Sequence, residues 1–413
     1  LPLNDQVTSI MSVLLFGVGT NYVLFIVSRY REEITRSGDR FQAMESAMRK
    51  VGPSIIGSSM TTVVAMFLLI FSMLGSFKTM GPMLAITVSI MLIVALTVLP
   101  AAIVLMSRVA FWPNRIIANQ QDVVTKPIWQ KIGKFVVNRP RTVFLVTTAV
   151  LLIAITPSIR MIPSFNFIDG FPDDVESKAG YELLKKGFAP GDLSPTTVFL
   201  HTPDNDVIDQ SDFIELLAQE IENSPGVNHV KGMTRPYGSY IGDQLDAVSL
   251  KMFNSPDGTT SRLDVSLEGD PYSEKALTVI DGLRSTIKST IRSQSMTGVE
   301  VLVGGDTAVQ FDTKTVIDED TKLLAPLILF AILGVLIVIQ RSLVAPLYLL
   351  FSVIISYAAT FGISIFIFQD LLNHTGVAYS NGIWIFVFLV ALGADYNIFV
   401  IARIKEETER LGF

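Results

Sequence analysis

Seven runs of apolar residues, each long enough to cross a bilayer, dominate the pattern of this chain. A spanning helix needs about 17–25 such residues. The runs fall at roughly Val7–Ser28, Val51–Phe71, Met80–Met106, Thr142–Ile159, Leu323–Ile339, Val344–Phe368 and Ile383–Ala402. The third carries Pro82 and Pro100 near its ends, where a proline disturbs a helix least. Between the fourth and fifth runs the period changes. Thr196–His201, Val227–Lys231, Arg262–Leu267 and Val299–Val303 read as short strands. Val175–Phe188, Ser211–Asn223 and Tyr272–Arg292 read as amphipathic helices. The order β-α-β, β-α-β predicts a split, ferredoxin-like α/β unit. The Gly-, Pro- and Ser-rich stretch Gly232–Thr260 is its inserted loop. Asp306–Asp320 predicts a helix that runs straight into the fifth span.

Charge divides the chain the same way. The net charge of −6 conceals 27 acids and 14 bases in residues 160–322, against 11 acids and 18 bases elsewhere. The connections Arg29–Lys50, Ser107–Arg141, Gln340–Leu343 and Arg403–Phe413 hold 17 Lys and Arg together, while the short connections on the other side hold one, Lys78. Basic residues collect on the cytoplasmic side of membrane proteins. That bias predicts three spans over 1–107, a cytoplasmic linker at 108–141 and a fourth span at 142–159. It then predicts an extracytoplasmic domain at 160–322, three spans over 323–403 and a cytoplasmic tail at 404–413. Trp112 and Trp129 in the linker point to a segment lying at the membrane surface. The chain opens on Leu and enters a span without a basic leader, so it is expected to be a fragment of a longer polypeptide.

Composition narrows the chemistry. Half the residues are apolar and 17% are charged, which fits a membrane protein. There is no cysteine, and the three histidines, 201, 229 and 374, are scattered. No metal site, nucleotide loop or nucleophile–base arrangement is legible, so neither a cofactor nor an enzyme activity is expected, and nothing suggests nucleic acid. The informative residue is Asp395, inside the seventh apolar run. An ionisable group at that depth costs about 2.5–3.5 kcal/mol on insertion scales and by default marks an ion or proton pathway. The bland alternative is a structural Asp held by a neighbouring helix.

The segment around Asp395 also occurs twice. GVGTNYVLFIVSRYREE (Gly17–Glu33) aligns without gaps on ALGADYNIFVIARIKEE (Ala391–Glu407). Asn21 and Tyr22 therefore match Asp395 and Tyr396. Asn21 cannot titrate, and its expected role is a hydrogen bond across the interface to Asp395, or simple packing. Tyr396 is placed to donate to Asp395 or pass a proton on. These four form the expected proton relay. Gly17, Gly19, Gly393 and Ala394 would let the two repeat helices approach closely. Ser58, Ser59, Thr61 and Thr62 make a polar stripe on the second span, either bonding their own helix or lining the helix interface as a set of hydroxyls next to Asn21 that hold water. Arg29, Arg31, Arg403 and Lys405 read as cytoplasmic anchors.

GVGTNYVLFIVSRYREE, AMRKVGPSIIGSSMTTVVAMFLLIFS and KTMGPMLAITVSIMLIVALTVLPAAIVL closely resemble three consecutive membrane helices of MMPL-type exporters of the resistance–nodulation–division superfamily. VGGDTAVQFD before the fifth span and RSLVAPL after it resemble the second half of such proteins. The resemblance implies a polytopic α-helical membrane protein, seven spans in this fragment (spans four to ten of twelve), with one extracytoplasmic porter-like domain. It implies proton coupling at Asp-Tyr pairs, of which Asp395–Tyr396 is complete and Asn21–Tyr22 lacks its acid. It further implies proton-driven export of lipids or hydrophobic, amphipathic compounds across a bacterial plasma membrane. A homo-oligomer is left open. A sterol-sensor-like receptor module and a protein-translocation subunit are the rival readings.

Overall fold

The computed structural model describes residues 5–106, 127–172, 174–203, 206–242, 247–296, 298–374 and 376–412. The chain divides into two compact units: Leu1–Met161, Ile317–Leu372 and Ser380–Phe413 form the first, and Ile162–Val316 with Asn373–Tyr379 the second.

Among the described residues, seven helical segments are long and apolar enough to cross a membrane. In chain order, the first unit opens with α1 (Asp5–Ser37), α2 (Arg40–Phe67), α3 (Gly75–Leu96) and α4 (Val98–Leu105). Asp39 caps α2, its carboxylate accepting from the backbone N–H of Phe41 and Gln42. The third span was expected to be continuous. It breaks at Thr97, whose φ of −122° and ψ of −70° leave the helical region. The cause is Pro100, which brings no N–H to the Leu96 carbonyl and presses its ring against it. Residues 107–126, most of the expected linker with Trp112, lie outside the described residues. The linker's end is a helix, α5 (Pro127–Asn138), with Ile128, Trp129, Ile132 and Phe135 all exposed. The fourth span is α6 (Pro140–Ile155), extended by a 3-10 turn to Arg160.

The second unit contains β1 (Pro163–Ser164), α7 (Glu176–Gly187), α8 (Pro190–Leu193), β2 (Thr196–His201), α9 (Ser211–Glu222), β3 (Val227–Lys231), α10 (Ala247–Phe253), β4 (Thr260–Leu267), α11 (Glu274–Ser293) and β5 (Glu300–Gly304). The sheet order is β3-β4-β2-β5 with every neighbouring pair antiparallel. Counted from β2, the four strands lie in the order 2-3-1-4, with α9 and α11 as the two connecting helices. Phe213, Ile214, Leu217 and Ile221 of α9 and Ile280, Leu283 and Ile287 of α11 pack on Val198, Leu200, Leu263 and Val265 of the sheet in one buried core. The stretch read as an inserted loop holds α10, two turns of helix whose Phe253 is buried.

The remaining elements are α12 (Asp306–Gln340), α13 (Val344–Ile365), β6 (Val377–Ala378) and α14 (Asn381–Leu411). As its sequence predicts, α12 is one unbroken helix. Its start is fixed in the second unit by Ala308, part of that core, and by Asp312, which accepts from both terminal nitrogens of Arg284 at 2.6 and 2.9 Å. The strand β6 pairs in parallel with β1, so residues from the connection between two spans join the second unit.

Candidate functional site

The helix α2 packs against α1 on one side and α14 on another, and this decides what the repeated segment can do. It carries Ser58, Ser59, Thr61 and Thr62, all fully buried. The spacing i, i+1, i+3, i+4 keeps four hydroxyls within one turn, facing both neighbours. Thr61 Oγ1 lies 3.1 Å from one carboxylate oxygen of Asp395, and Thr62 Oγ1 lies 3.4 Å from the other. Asp395 is 4% exposed. Each Thr has an alternative acceptor, the Ser58 carbonyl, at 2.6 Å from Thr61 and 3.4 Å from Thr62. A hydroxyl carries one hydrogen and can also accept. The pair can therefore donate to a carboxylate, or turn to the backbone and accept from a carboxylic acid.

The phenol that joins this cluster is not the neighbour in sequence. Tyr22 of α1 is 1% exposed and its Oη accepts from Ser59 Oγ at 2.6 Å. Tyr396 is 55% exposed and donates to Asn21 Oδ1 at 3.1 Å. Consecutive helix positions point about 100° apart, so burying Asp395 turns Tyr396 away from it. The expected bond from Asn21 to Asp395 is replaced by the bond from Tyr396. The four relay candidates thus meet as two crossed pairs: position 21 with 396, and 22 with the cluster that holds 395.

The crossing continues along both helices. Phe25 stacks on its repeat counterpart Phe399 at 3.7 Å between ring centroids. Arg29 pairs with Glu406, and Arg403 lies 3.4 Å from Glu32, the counterpart of Glu406. Each residue contacts the partner of its own equivalent, the signature of an approximate two-fold relation. Glu33 closes the lattice through Lys50 at 2.8 Å and Arg29 at 3.2 Å. Of the residues read as cytoplasmic anchors, Arg29 and Arg403 are therefore cross-linked, and Arg29 is only 6% exposed.

The glycines act elsewhere than expected. A Cβ on Gly19 would lie 2.6 Å from Met91 Cε of α3, and one on Gly393 would lie 3.3 Å from Val353 of α13. Gly17 faces open space. Gly19 and Gly393 admit the outer neighbours of the two repeat helices. The two repeat helices meet through side chains, and Ala394 is buried.

Sequence reasoning missed Asp320. It is fully buried on α12. It accepts from Ser72 Oγ and from the backbone N–H of Met73 at 2.8 Å and Leu74 at 3.3 Å. It thereby caps the start of α3, which has no side-chain cap of its own. Four acidic residues in the stretch Asp312–Asp320 gave no sign that one would be buried.

A cavity of about 670 Å³ is lined by residues of α1, α2, α12 and α14. Among the described residues no group of three His, Asp or Glu could hold a metal ion.

Comparison with known proteins now identifies the lineage. The model of the MMPL family matches residues 1–143 and 169–412. The chain belongs to the MMPL family. It is 30% identical over 422 residues to the apo-petrobactin exporter of Bacillus anthracis, covering 98% of this chain and 53% of that protein. It is 35% identical over 407 residues to a Streptomyces coelicolor membrane protein, covering 98% and 46%. It is 32% identical over 241 residues to the sulfolipid-1 exporter MmpL8 of Mycobacterium tuberculosis, covering 58% and 21%. The chain spans about half the length of the first relatives it matches. Family and helices together make it a multi-pass membrane protein.

Proposed function

We propose that this MMPL chain works in a proton-driven exporter of lipids or other hydrophobic, amphipathic compounds in a bacterial plasma membrane. The carrying observation is Asp395. It is a buried carboxyl at the middle of a span, and the groups bonded to it are hydroxyls that serve it with or without its proton. Gain or loss of that proton changes which hydrogen bonds α14 makes with α2. Two packings of the spans separated by a few kcal/mol are enough for such a switch. Two relatives, an apo-petrobactin exporter and a sulfolipid-1 exporter, support transport of an amphipathic cargo.

In this reading residues 160–322 lie outside the cytoplasm as a porter domain. The bias of basic residues toward the other connections supports that side. The 2-3-1-4 antiparallel order with two connecting helices supports a ferredoxin-like fold for it. No chemical conversion of the cargo is part of the reading.

The test is Asp395→Asn in the full-length protein, with transport followed in vesicles under an imposed pH gradient. Loss of gradient-driven transport, with the protein still in the membrane, is the expected result. Transport that still follows the gradient overturns the proton role.

A further inference from the structure

Asn21 on α1, Ser58 on α2 and Asp395 on α14 mark one level of the bundle. Four residues along each helix, toward the basic connections, stand Phe25, Ser54 and Phe399. All three line the 670 Å³ cavity. Four residues are about 6 Å of helix, so the cavity begins one turn beneath the buried carboxyl. Its far walls are charged, with Arg29, Lys50, Arg403 and Glu406 among them. On the α12 side the amide of Gln340, both atoms buried, has no hydrogen-bond partner. A space this large with such walls holds water.

Two routes lead from Asp395 to that water. One is closed by the Phe25–Phe399 stack, whose rings leave nothing to carry a proton. The other follows α2. Ser58 is fully buried beside both the Asp395 carboxyl and the Tyr22 phenol, and its hydroxyl has no hydrogen-bond partner of normal geometry. Ser54 lies one turn below it on the cavity wall. We infer that the cavity is the aqueous outlet for the proton of Asp395, and that Ser58 and Ser54 carry it past the aromatic stack. The inference rests on the proton-driven reading above.

The transfer balances without any further reagent than water. The acid gives its hydrogen to the Ser58 oxygen, and Ser58 gives its own to a water bridging the turn. That water passes a hydrogen to Ser54, and Ser54 passes one to the cavity. Asp395 is left as a carboxylate, a hydronium ion leaves through the cavity, and both serines end unchanged.

The experiment uses the full-length protein with any native cysteine removed. Ser54→Cys is treated with a membrane-impermeant cationic methanethiosulfonate, in right-side-out and in inverted vesicles. Modification is expected only from the side of the basic connections. Ser58→Ala is expected to slow gradient-driven transport by about tenfold or more, the low end of what a positioned proton carrier contributes being about a hundredfold. Labelling of Asp395 by a hydrophobic carbodiimide should persist in that variant, and Ser58→Thr should restore the rate. An unreactive Ser54→Cys, a Ser58→Ala that transports at the normal rate, or one that loses the Asp395 label overturns the outlet. Asp395→Asn run in parallel separates the two ideas. If it still responds to the gradient, the proton-driven reading fails; if only the serine variants behave normally, the outlet alone does.

Discussion

The helices α1 and α14 share a sequence, yet they bury opposite members of the same dipeptide. On α1 the phenol of Tyr22 goes in and the amide of Asn21 stays at the edge. On α14 the acid of Asp395 goes in and the phenol of Tyr396 stays at the edge. The difference lies in α2, which presents its hydroxyls to Asp395 and Tyr22 and makes no hydrogen bond with Asn21 among the described residues. A repeat in sequence is therefore not a repeat in which side chain is buried. The largest test of this is a swap. Asp395→Asn should lower gradient-driven transport by about a hundredfold or more, the scale of a lost proton carrier. Adding Asn21→Asp should not restore it, because an acid at position 21 meets Tyr396 and no Thr pair. Recovery of transport in the swapped protein, read in the same vesicle assay, would mean the two helices are interchangeable after all.

The basic ends of the two helices differ in burial as well. Arg29 is 6% exposed and touches Glu32, Glu33 and Glu406, while Arg403 is 46% exposed with Glu32, Glu406 and Glu407 around it. Breaking a buried pair from one side strands a charge and costs about 3–5 kcal/mol. An exposed pair is worth about 0.2–1 kcal/mol. Arg29→Ala should thus lower the unfolding temperature in detergent far more than Arg403→Ala, although the two residues are equivalent in the alignment. Equal losses would show the lattice to be solvated throughout.

The spans were legible because bilayer thickness demands length and apolarity, and both are visible residue by residue. Asp395 was legible because a charge is conspicuous in an apolar run. The strands and both long helices of the second unit followed from their periods. What the sequence did not show is rotation and partnership. Tyr396 follows Asp395 and looks like its partner, but one step around a helix separates them. Pro100 looked harmless near the end of a long run, yet it sits inside the helix and breaks it at Thr97. Asp320 is hidden by the acidic neighbours Asp318 and Glu319, since only the fold shows which of the three meets the turn at Ser72–Leu74.

Asp320 and Asp395, two buried acids, also differ in the partners that hold them. Asp320 accepts from one hydroxyl, that of Ser72, and from two backbone N–H groups, which only donate, so it serves as a fixed acceptor. Asp395 faces hydroxyls, which donate or accept. Asp320→Asn turns one acceptor into a donor aimed at those N–H groups, and should destabilise the protein by about 1–3 kcal/mol, the cost of leaving a buried polar group unpaired. The share of protein surviving in the membrane should still transport along the gradient. Asp395→Asn should show the reverse, near-normal thermal stability without coupling, because an amide still bonds the Thr hydroxyls. If both variants lose the same property, the distinction between their partners has no consequence.

The smallest expected difference is between the two tyrosines. Tyr22→Phe removes the acceptor of Ser59 inside the fully buried cluster, and the stranded hydroxyl costs about 1–3 kcal/mol in general. Inside a membrane protein such bonds average about 0.6 kcal/mol, because the unfolded helices also find partners. Tyr396→Phe removes one bond to Asn21 at an exposed position and should fall at or below that lower figure. The two substitutions delete the same atom from equivalent positions, so sequence cannot rank them and burial can. Thermal unfolding of the two variants side by side measures the gap. Tyr22→Phe should be the less stable, and because Tyr22 borders the Asp395 cluster it should also shift the pH at which transport is half-maximal. Tyr396→Phe should leave that pH in place, its side chain pointing about 100° around the helix from the acid it follows in sequence.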